Sequence, residues 1–184
     1  PGSKSGSVVP PQLEELKILH TDSFGWALAC CAWHRDLAED VLQEAYLRVL
    51  DGRAEFSDRS TLKTWFFAVI RRVAADIQRT QKRHAILNLR MVSDALTSEQ
   101  STASHINPIA EAVHEDETSR QLQLALLQLP QRQREILHLV FYGGLSLEEA
   151  AATVQISVGS ARTHYHRGKQ RLLQLLTEGD VHAT

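Results

Sequence analysis

Between Leu62 and Ile77 the apolar residues fall at Leu62, Trp65, Phe66, Val69, Ile70, Val73 and Ile77. Steps of three and four place all of them on one stripe of an α-helix. The spacing predicts a helix starting near Ser60 with that stripe in a core. The far side carries Phe67, Arg71, Arg72, Gln78, Arg79 and Lys82. From Lys63 to Arg90, Lys63, Arg71, Arg72, Arg79, Lys82, Arg83 and Arg90 face a single acid, Asp76. Phe67 and Arg71 are four apart, so an aromatic ring stands beside a guanidinium on the outer face. Two readings of Phe67 stay open: partial burial against another helix, or contact with a nucleic-acid base.

The preceding segment, "DLAEDVLQEAYLRVL" from Asp36, puts Ala38, Val41, Leu42, Ala45 and Val49 on one stripe. Asp36 is a natural N-cap, with Glu39 in the capping-box position. Asp36, Asp40, Gln43, Glu44 and Leu47 gather on the opposite side. Seven acids lie between Asp36 and Asp58. "DGRAEFSDRST" (Asp51–Thr61) reads as a loop. Net charge is only −2 over the 184 residues, but this separation of an acidic helix from a basic one suggests two different partners.

Periodicity fades from about Arg90 to Thr118, where Ser, Thr, Ala and acids dominate, as in a flexible linker. Helical spacing resumes with Leu122, Leu126, Leu127 and Leu129. Pro130 can open the next helix, and Gly143-Gly144 closes it. Ser146 and Glu149 form a capping-box pair, and Ala150 and Ala151 allow a second helix to approach closely. Gln155-Ile156-Ser157 is a short turn, with Ser157 placed to cap the last helix. On that helix Ala161, Tyr165, Gly168 and Leu172 make one thin buried line. The remaining positions include Ser160, Arg162, Thr163, His164, His166, Arg167, Lys169 and Arg171. A helix that packs along so narrow a line and shows donors elsewhere resembles the recognition helix of a helix-turn-helix. A plain helical hairpin could carry the same caps; the alanine pair and the density of outward donors argue against it.

No alternating strand pattern occurs, so the expected fold class is all-α: two small helical domains joined by a flexible linker, the C-terminal one a helix-turn-helix. The expected divisions are a disordered lead or tag remnant over 1–12, an N-terminal domain over 13–85, an acidic linker over 86–117, a C-terminal domain over 118–176 and a tail over 177–184. Cys30 and Cys31 are adjacent and do not readily join in an ordinary disulfide; two cysteines fit a reducing cytoplasm. No trio of histidines has metal-ligand spacing, so neither a metal site nor a cofactor is expected. No nucleophile–base set or phosphate loop points to an enzyme. No apolar run approaches membrane-spanning length and no signal peptide is visible.

Taken together, these segments resemble a bacterial sigma factor of the compact extracytoplasmic-function group (group 4). "DLAEDVLQEAYLRVL" is similar to that family's polymerase-binding helix, and "WFFAVIRRVAADIQR" to its promoter-melting helix, with Trp65, Arg71, Asp76 and Arg79 at matching positions. "LPQRQREILHLVFYGGLSLEEAAATVQISVGSARTHYHRGKQRL" is similar to its C-terminal domain. The resemblance implies a cytoplasmic, non-enzymatic subunit that binds core RNA polymerase and promoter DNA, is controlled by an anti-sigma factor and makes no membrane contact of its own. It implies polymerase contacts at Asp36, Glu39, Asp40, Gln43 and Glu44. It implies minus-ten and melting contacts at Lys63, Phe67, Arg71, Arg72, Arg79 and Lys82. Minus-thirty-five contacts fall to Ser160, Arg162, Thr163, His164, His166, Arg167, Lys169 and Arg171. The sequence departs from the family at Arg72, where Asn is common, and at His164, where Arg is frequent. A receiver-type regulator would need an α/β domain for which there are no strands. A protein-binding adaptor would leave the basic face of Lys63–Lys82 without a purpose.

Overall fold

A computed structural model describes residues 11–93 and 117–181. Those residues form only helices: α1 (Pro11–Ile18), α2 (His20–Cys30), α3 (Arg35–Leu50), α4 (Leu62–Ser93), α5 (Glu117–Leu127), α6 (Gln131–Phe141), α7 (Leu147–Val154) and α8 (Val158–Val181). Of the expected linker over 86–117, residues 86–93 continue α4, and residues 94–116 lie outside the described residues.

The N-terminal half is built on the two predicted stripes. Val41, Leu42, Ala45 and Val49 of α3 meet Phe66, Val69, Ile70 and Val73 of α4, all buried. The segment before Asp36, for which the sequence reading set no boundaries, supplies α1 and α2. Trp26 of α2 is fully buried, and its indole N–H donates to the carbonyl of Phe67 at 2.9 Å. That carbonyl already serves a helix, so the bond uses its second lone pair and locks α2 onto α4.

Several helix ends fall elsewhere than expected. Ala32 and Trp33 both take positive φ, 51° and 63°, and the chain re-enters helical geometry at once, with His34 as the N-cap of α3. Asp36 therefore lies inside the first turn and forms no capping box; Glu39 pairs instead with Arg35 at 3.0 Å. Helix α4 starts at Leu62 because the hydroxyl of Thr61 accepts the Thr64 N–H at 3.1 Å. It runs on to Ser93, past the boundary expected at 85, because neither Gly nor Pro occurs in that stretch and Lys, Arg, Ala, Leu and Met favour helix. Likewise α8 continues into the expected tail.

The C-terminal half follows its sequence signals closely. Gly143 N–H closes on the His138 carbonyl at 2.9 Å, and Gly144 has φ 65°. The Ser146–Glu149 capping box forms in both directions. Gln155 makes the turn in the left-handed region, and Ser157 accepts the Ser160 N–H at 3.1 Å. Ala161 and Gly168 of α8 are buried, with Tyr165 and Leu172 half-buried. A small separate core joins Leu126, Leu129 and Leu137 to Leu172 and Leu175.

The two halves pack on each other. One continuous core contains Trp26, Phe67 and Ile70 together with Ile136, Leu139, Val154 and Ala161. The rings of Trp26 and His138 lie 5.5 Å apart across the boundary.

Two measurements test this packing. A Cβ at Gly168 would meet Leu137 Cδ1 at 3.0 Å and Gln133 Cβ at 3.1 Å. Overpacking costs typically 1–3 kcal/mol, more than the ~1 kcal/mol of helix propensity gained, so Gly168→Ala should lower the thermal midpoint. His138 is held neutral because burial pushes its pKa down to about 4, against the opposing pull of Asp22. Unfolding returns it to its usual value and lets it take a proton. Its contribution is therefore whole above about pH 6.5 and lost progressively towards pH 4, a span worth roughly 3 kcal/mol. Urea unfolding of His138→Leu should lose less stability between pH 7 and 4.5 than the unmodified protein.

Candidate nucleic-acid and polymerase interfaces

Helix α8 gives the simplest surface. Its buried line rests on α6, where Gly168 permits the close approach. Arg162, Thr163, His166, Arg167, Lys169 and Arg171 are exposed. The hydroxyl of Thr163 donates to the Gly159 carbonyl at 3.0 Å, which turns that donor inward and leaves the methyl group outward. Ser160 is exposed, but its hydroxyl lies 2.9 Å from that of Ser157 within the helix cap. His164 departs from the expected set. It is half-buried, and its Nδ1 is shielded from solvent without a protein partner. Three residues after Ala161 and four before Gly168, it belongs to the flank of the packing line and not to the outward face.

Helix α3 presents Asp36, Glu39, Asp40 and Gln43 to solvent. Glu44 differs from them. Arg48 and Arg53 reach its Oε1 at 3.0 and 3.1 Å, and Arg48 continues to Asp76 on α4 at 3.0 Å. The neighbouring Arg48 guanidinium holds the Glu44 carboxyl below the usual carboxylate range. Glu44 thus joins the loop and α4 to α3, which its outward position on a helical wheel does not reveal. Beside this face, His20, Phe24, Arg35, Glu39, Leu42, Gln43, Tyr46 and Leu47 line a groove of about 470 Å³ between α2 and α3.

The expected basic face of α4 divides in two. Arg72, Arg79 and Lys82 are exposed, with Arg79 paired to Asp76 at 2.7 Å. Lys63 is half-buried, bonded to Asp22 at 2.8 Å, and stands 5.6 Å over the Phe67 ring. Phe67 itself is 0% exposed. The expectation of an outward aromatic is corrected: Phe67 stacks on Trp26 at 6.0 Å. Arg71 is drawn in as well, its Nε 3.3 Å from Glu135 of α6. Thr64, one turn before Phe67, donates to Glu149 of α7 at 3.3 Å. Helix α4 therefore has two packed sides, one inside its own domain and one against the C-terminal half.

Glu135 is 1% exposed. Burial pushes its carboxyl above the usual range, and the Arg71 guanidinium opposes that rise. Gln131 and Arg132 also donate to it, at 3.0 and 3.1 Å. Cys30 and Cys31 are buried free thiols near this junction, both raised by burial, Cys31 to about 12. The described residues contain no cluster of His, Cys, Asp or Glu able to hold a metal ion, and no described helix is long and apolar enough to cross a membrane.

An all-helical pair of domains that ends in a helix-turn-helix with an exposed basic second helix defines a DNA-binding transcription protein. Residues 29–84 match the Sigma-70 region 2 family and residues 119–172 match Sigma-70, region 4. The chain is 33% identical to the RNA polymerase sigma factor CarQ of Myxococcus xanthus, over 90% of this chain and 89% of that protein. It is 31% identical to the ECF RNA polymerase sigma factor SigX of Bacillus subtilis, over 78% of this chain and 74% of that one. Among solved structures it is similar to the sigma factor RpoE in complex with the anti-sigma factor NepR from Bartonella quintana. That likeness has 26% identity and a TM-score of 0.69, covering 92% of this chain and 98% of that chain. The fold is also that of CnrH in complex with the cytosolic domain of CnrY, at a TM-score of 0.60 over 94% of this chain and 92% of that chain. The chain belongs to the ECF-type RNA polymerase sigma factors.

Proposed function

We propose that this chain is a group 4 initiation subunit that binds core RNA polymerase through α3, engages the minus-ten region with α4 and reads the minus-thirty-five element with α8. The observation that carries the reading is the outward surface of α8, where Arg162, His166, Arg167, Lys169 and Arg171 stand exposed over a packing line of small and apolar residues. A major groove admits such a helix. Arg162, in the first turns, suits a bidentate guanine contact, and the Thr163 methyl suits a thymine methyl. Lys169 and Arg171, further along, suit phosphates, which position the helix without reading sequence.

On α4 the exposed Arg72, Arg79 and Lys82 supply phosphate contacts along a separated strand, and the Asp51–Thr61 loop before that helix receives an unstacked base. On α3 the exposed Asp36, Glu39, Asp40 and Gln43 offer an acidic, hydrogen-bonding face to a basic element of the polymerase. Control by an anti-sigma factor is supported by the likeness to RpoE, which was solved bound to one. The working division is a polymerase-binding and melting domain from residue 13, an acidic linker, and a promoter-reading domain from residue 118.

Asp40→Lys should reduce affinity for core polymerase at least tenfold (about 1.4 kcal/mol) while stability changes by no more than about 0.5 kcal/mol. Wild-type affinity in a folded variant would remove α3 from the interface. In the holoenzyme, Arg162→Ala should relax preference at one promoter position by about 1–3 kcal/mol. Lys169→Ala should weaken all promoters alike and reduce the salt slope by about one. An unaltered sequence preference for Arg162→Ala in a promoter library would make that residue a backbone anchor.

A further inference from the structure

The Asp51–Thr61 loop has no helix of its own to hold it, yet its first half is tied down. The backbone N–H of Gly52 donates to the Val49 carbonyl at 3.2 Å, and that of Ala54 to the Arg48 carbonyl at 2.8 Å. Gly52 turns the chain at φ 68°. The Phe56 ring lies 5.3 Å from that of Trp65, in the first turn of α4. Beyond Phe56, Ser57, Asp58, Arg59 and Ser60 are exposed. A fixed stem therefore carries an exposed tip, and the stem decides where the tip stands.

The stem is joined to both neighbouring helices by one chain of alternating charge. Arg53 Nη2 donates to Asp51 at 3.0 Å, and Arg53 Nη1 donates to Glu44 Oε1 at 3.1 Å. The same oxygen accepts from Arg48 Nε at 3.0 Å. Arg48 Nη1 donates to Asp76 at 3.0 Å, and Asp76 accepts from Arg79 at 2.7 Å. An isolated exposed ion pair contributes little, but a network built on planar guanidinium forks fixes geometry. Its central members are also the better shielded: Arg48 and Glu44 are 22% and 30% exposed, against 51% for Arg53. Two guanidiniums share Glu44 Oε1, so the loop and α4 both take their position from one carboxylate of α3.

The ends of this chain show what it serves. One end is the loop assigned above to the unstacked base, and the other is Arg79, assigned above to the separated strand. Asp40, exposed on the same helix as Glu44, offers its carboxylate to an outside partner. Glu44 directs its charge to two guanidiniums of its own chain instead. A strand whose phosphates lie on α4 can place a base in the loop only if the spacing between loop and helix is held.

We propose that Glu44 and Arg48 are positioning residues for promoter melting: through Arg53 on one side and Asp76 on the other they hold the base-receiving loop in place against the strand-contacting face of α4, and Glu44 is not a polymerase contact. This role rests on the minus-ten reading of the loop and α4.

In the full-length chain, Glu44→Ala should speed amide exchange across residues 51–56 while helix content by circular dichroism stays unchanged. In the holoenzyme, affinity for core polymerase and recruitment to duplex promoter should stay at the level of the unmodified protein. The rate of open-complex formation, followed by permanganate reactivity, should fall about tenfold, as expected when the loop and helix links are lost together. A promoter with a preformed bubble across the melted region should remove most of that defect, because the loop no longer has to hold a base while the duplex opens. Glu44→Gln keeps an acceptor oxygen in place without the charge and should lie between. If Glu44→Ala loses helix content, Arg53→Ala, which cuts only the exposed loop link, serves in its place with a smaller fall in the opening rate. Loss of core affinity in a folded variant makes Glu44 a polymerase contact and overturns the positioning role. A normal opening rate overturns it too, as does a defect undiminished on the bubble template. Arg72→Ala separates the two levels of the reading. Impaired melting in Arg72→Ala but not in Glu44→Ala overturns the positioning role alone, whereas normal melting in both overturns the minus-ten reading of α4.

Discussion

A carboxylate with almost no access to water is tolerated only where cations or donors meet it, and Glu135 draws its partners from both halves of the chain. Gln131 and Arg132 come from its own helix, while Arg71 comes from α4, 64 residues earlier. Losing Arg71 would leave Gln131 and Arg132 on the buried carboxylate but remove one of its two ion-pair partners, and weakening a buried pair is costly. Around this pair the apolar contacts fall into order. Trp26 lies between Phe67 and His138, and Ala150, Ala151 and Val154 of α7 close the same core that Phe66 and Ile70 begin. The relative placement of the two domains follows from satisfying Glu135.

That constraint explains which features the sequence discloses. The caps and turns of the C-terminal half were legible because their causes are local: Ser146 and Glu149 are three residues apart, as are Ser157 and Ser160. The stripe of α4 was legible for the same reason. Phe67 and Arg71 were not, because helical periodicity identifies one buried side, and α4 has two. Nothing within a turn of Phe67 announces that Trp26, 41 residues earlier, will donate to its carbonyl. Glu44 misleads in the same way. It sits on the acidic face of a helical wheel, and only the fold reveals that Arg48 and Arg53 already hold it. Where the surface residues meet solvent alone, as Asp40 and Arg162 do, the sequence reading and the structure coincide.

The charge separation along the chain acquires a physical sense from the packing. The exposed acids Asp36, Glu39 and Asp40 stand on α3 and the exposed basic residues Arg72, Arg79 and Lys82 on α4, so the two signs of charge are carried by different helices of one small domain. The Arg48–Asp76 ion pair bridges these two helices at 3.0 Å. It ties the two helices to each other beside their shared core.

The division of labour on α8 bears on how such a protein changes its targets over generations. Ala161, Tyr165, Gly168 and Leu172 anchor the helix to its support, and a Cβ at Gly168 would crowd Leu137 and Gln133 at 3.0 and 3.1 Å. The outward residues carry little of that burden, so, on the reading of α8 proposed above, substitution among them alters the promoter read without disturbing the scaffold that presents them. Duplicated copies of a chain like this can therefore drift apart in the genes they govern while keeping one architecture, and the immobile glycine is part of what makes that drift safe.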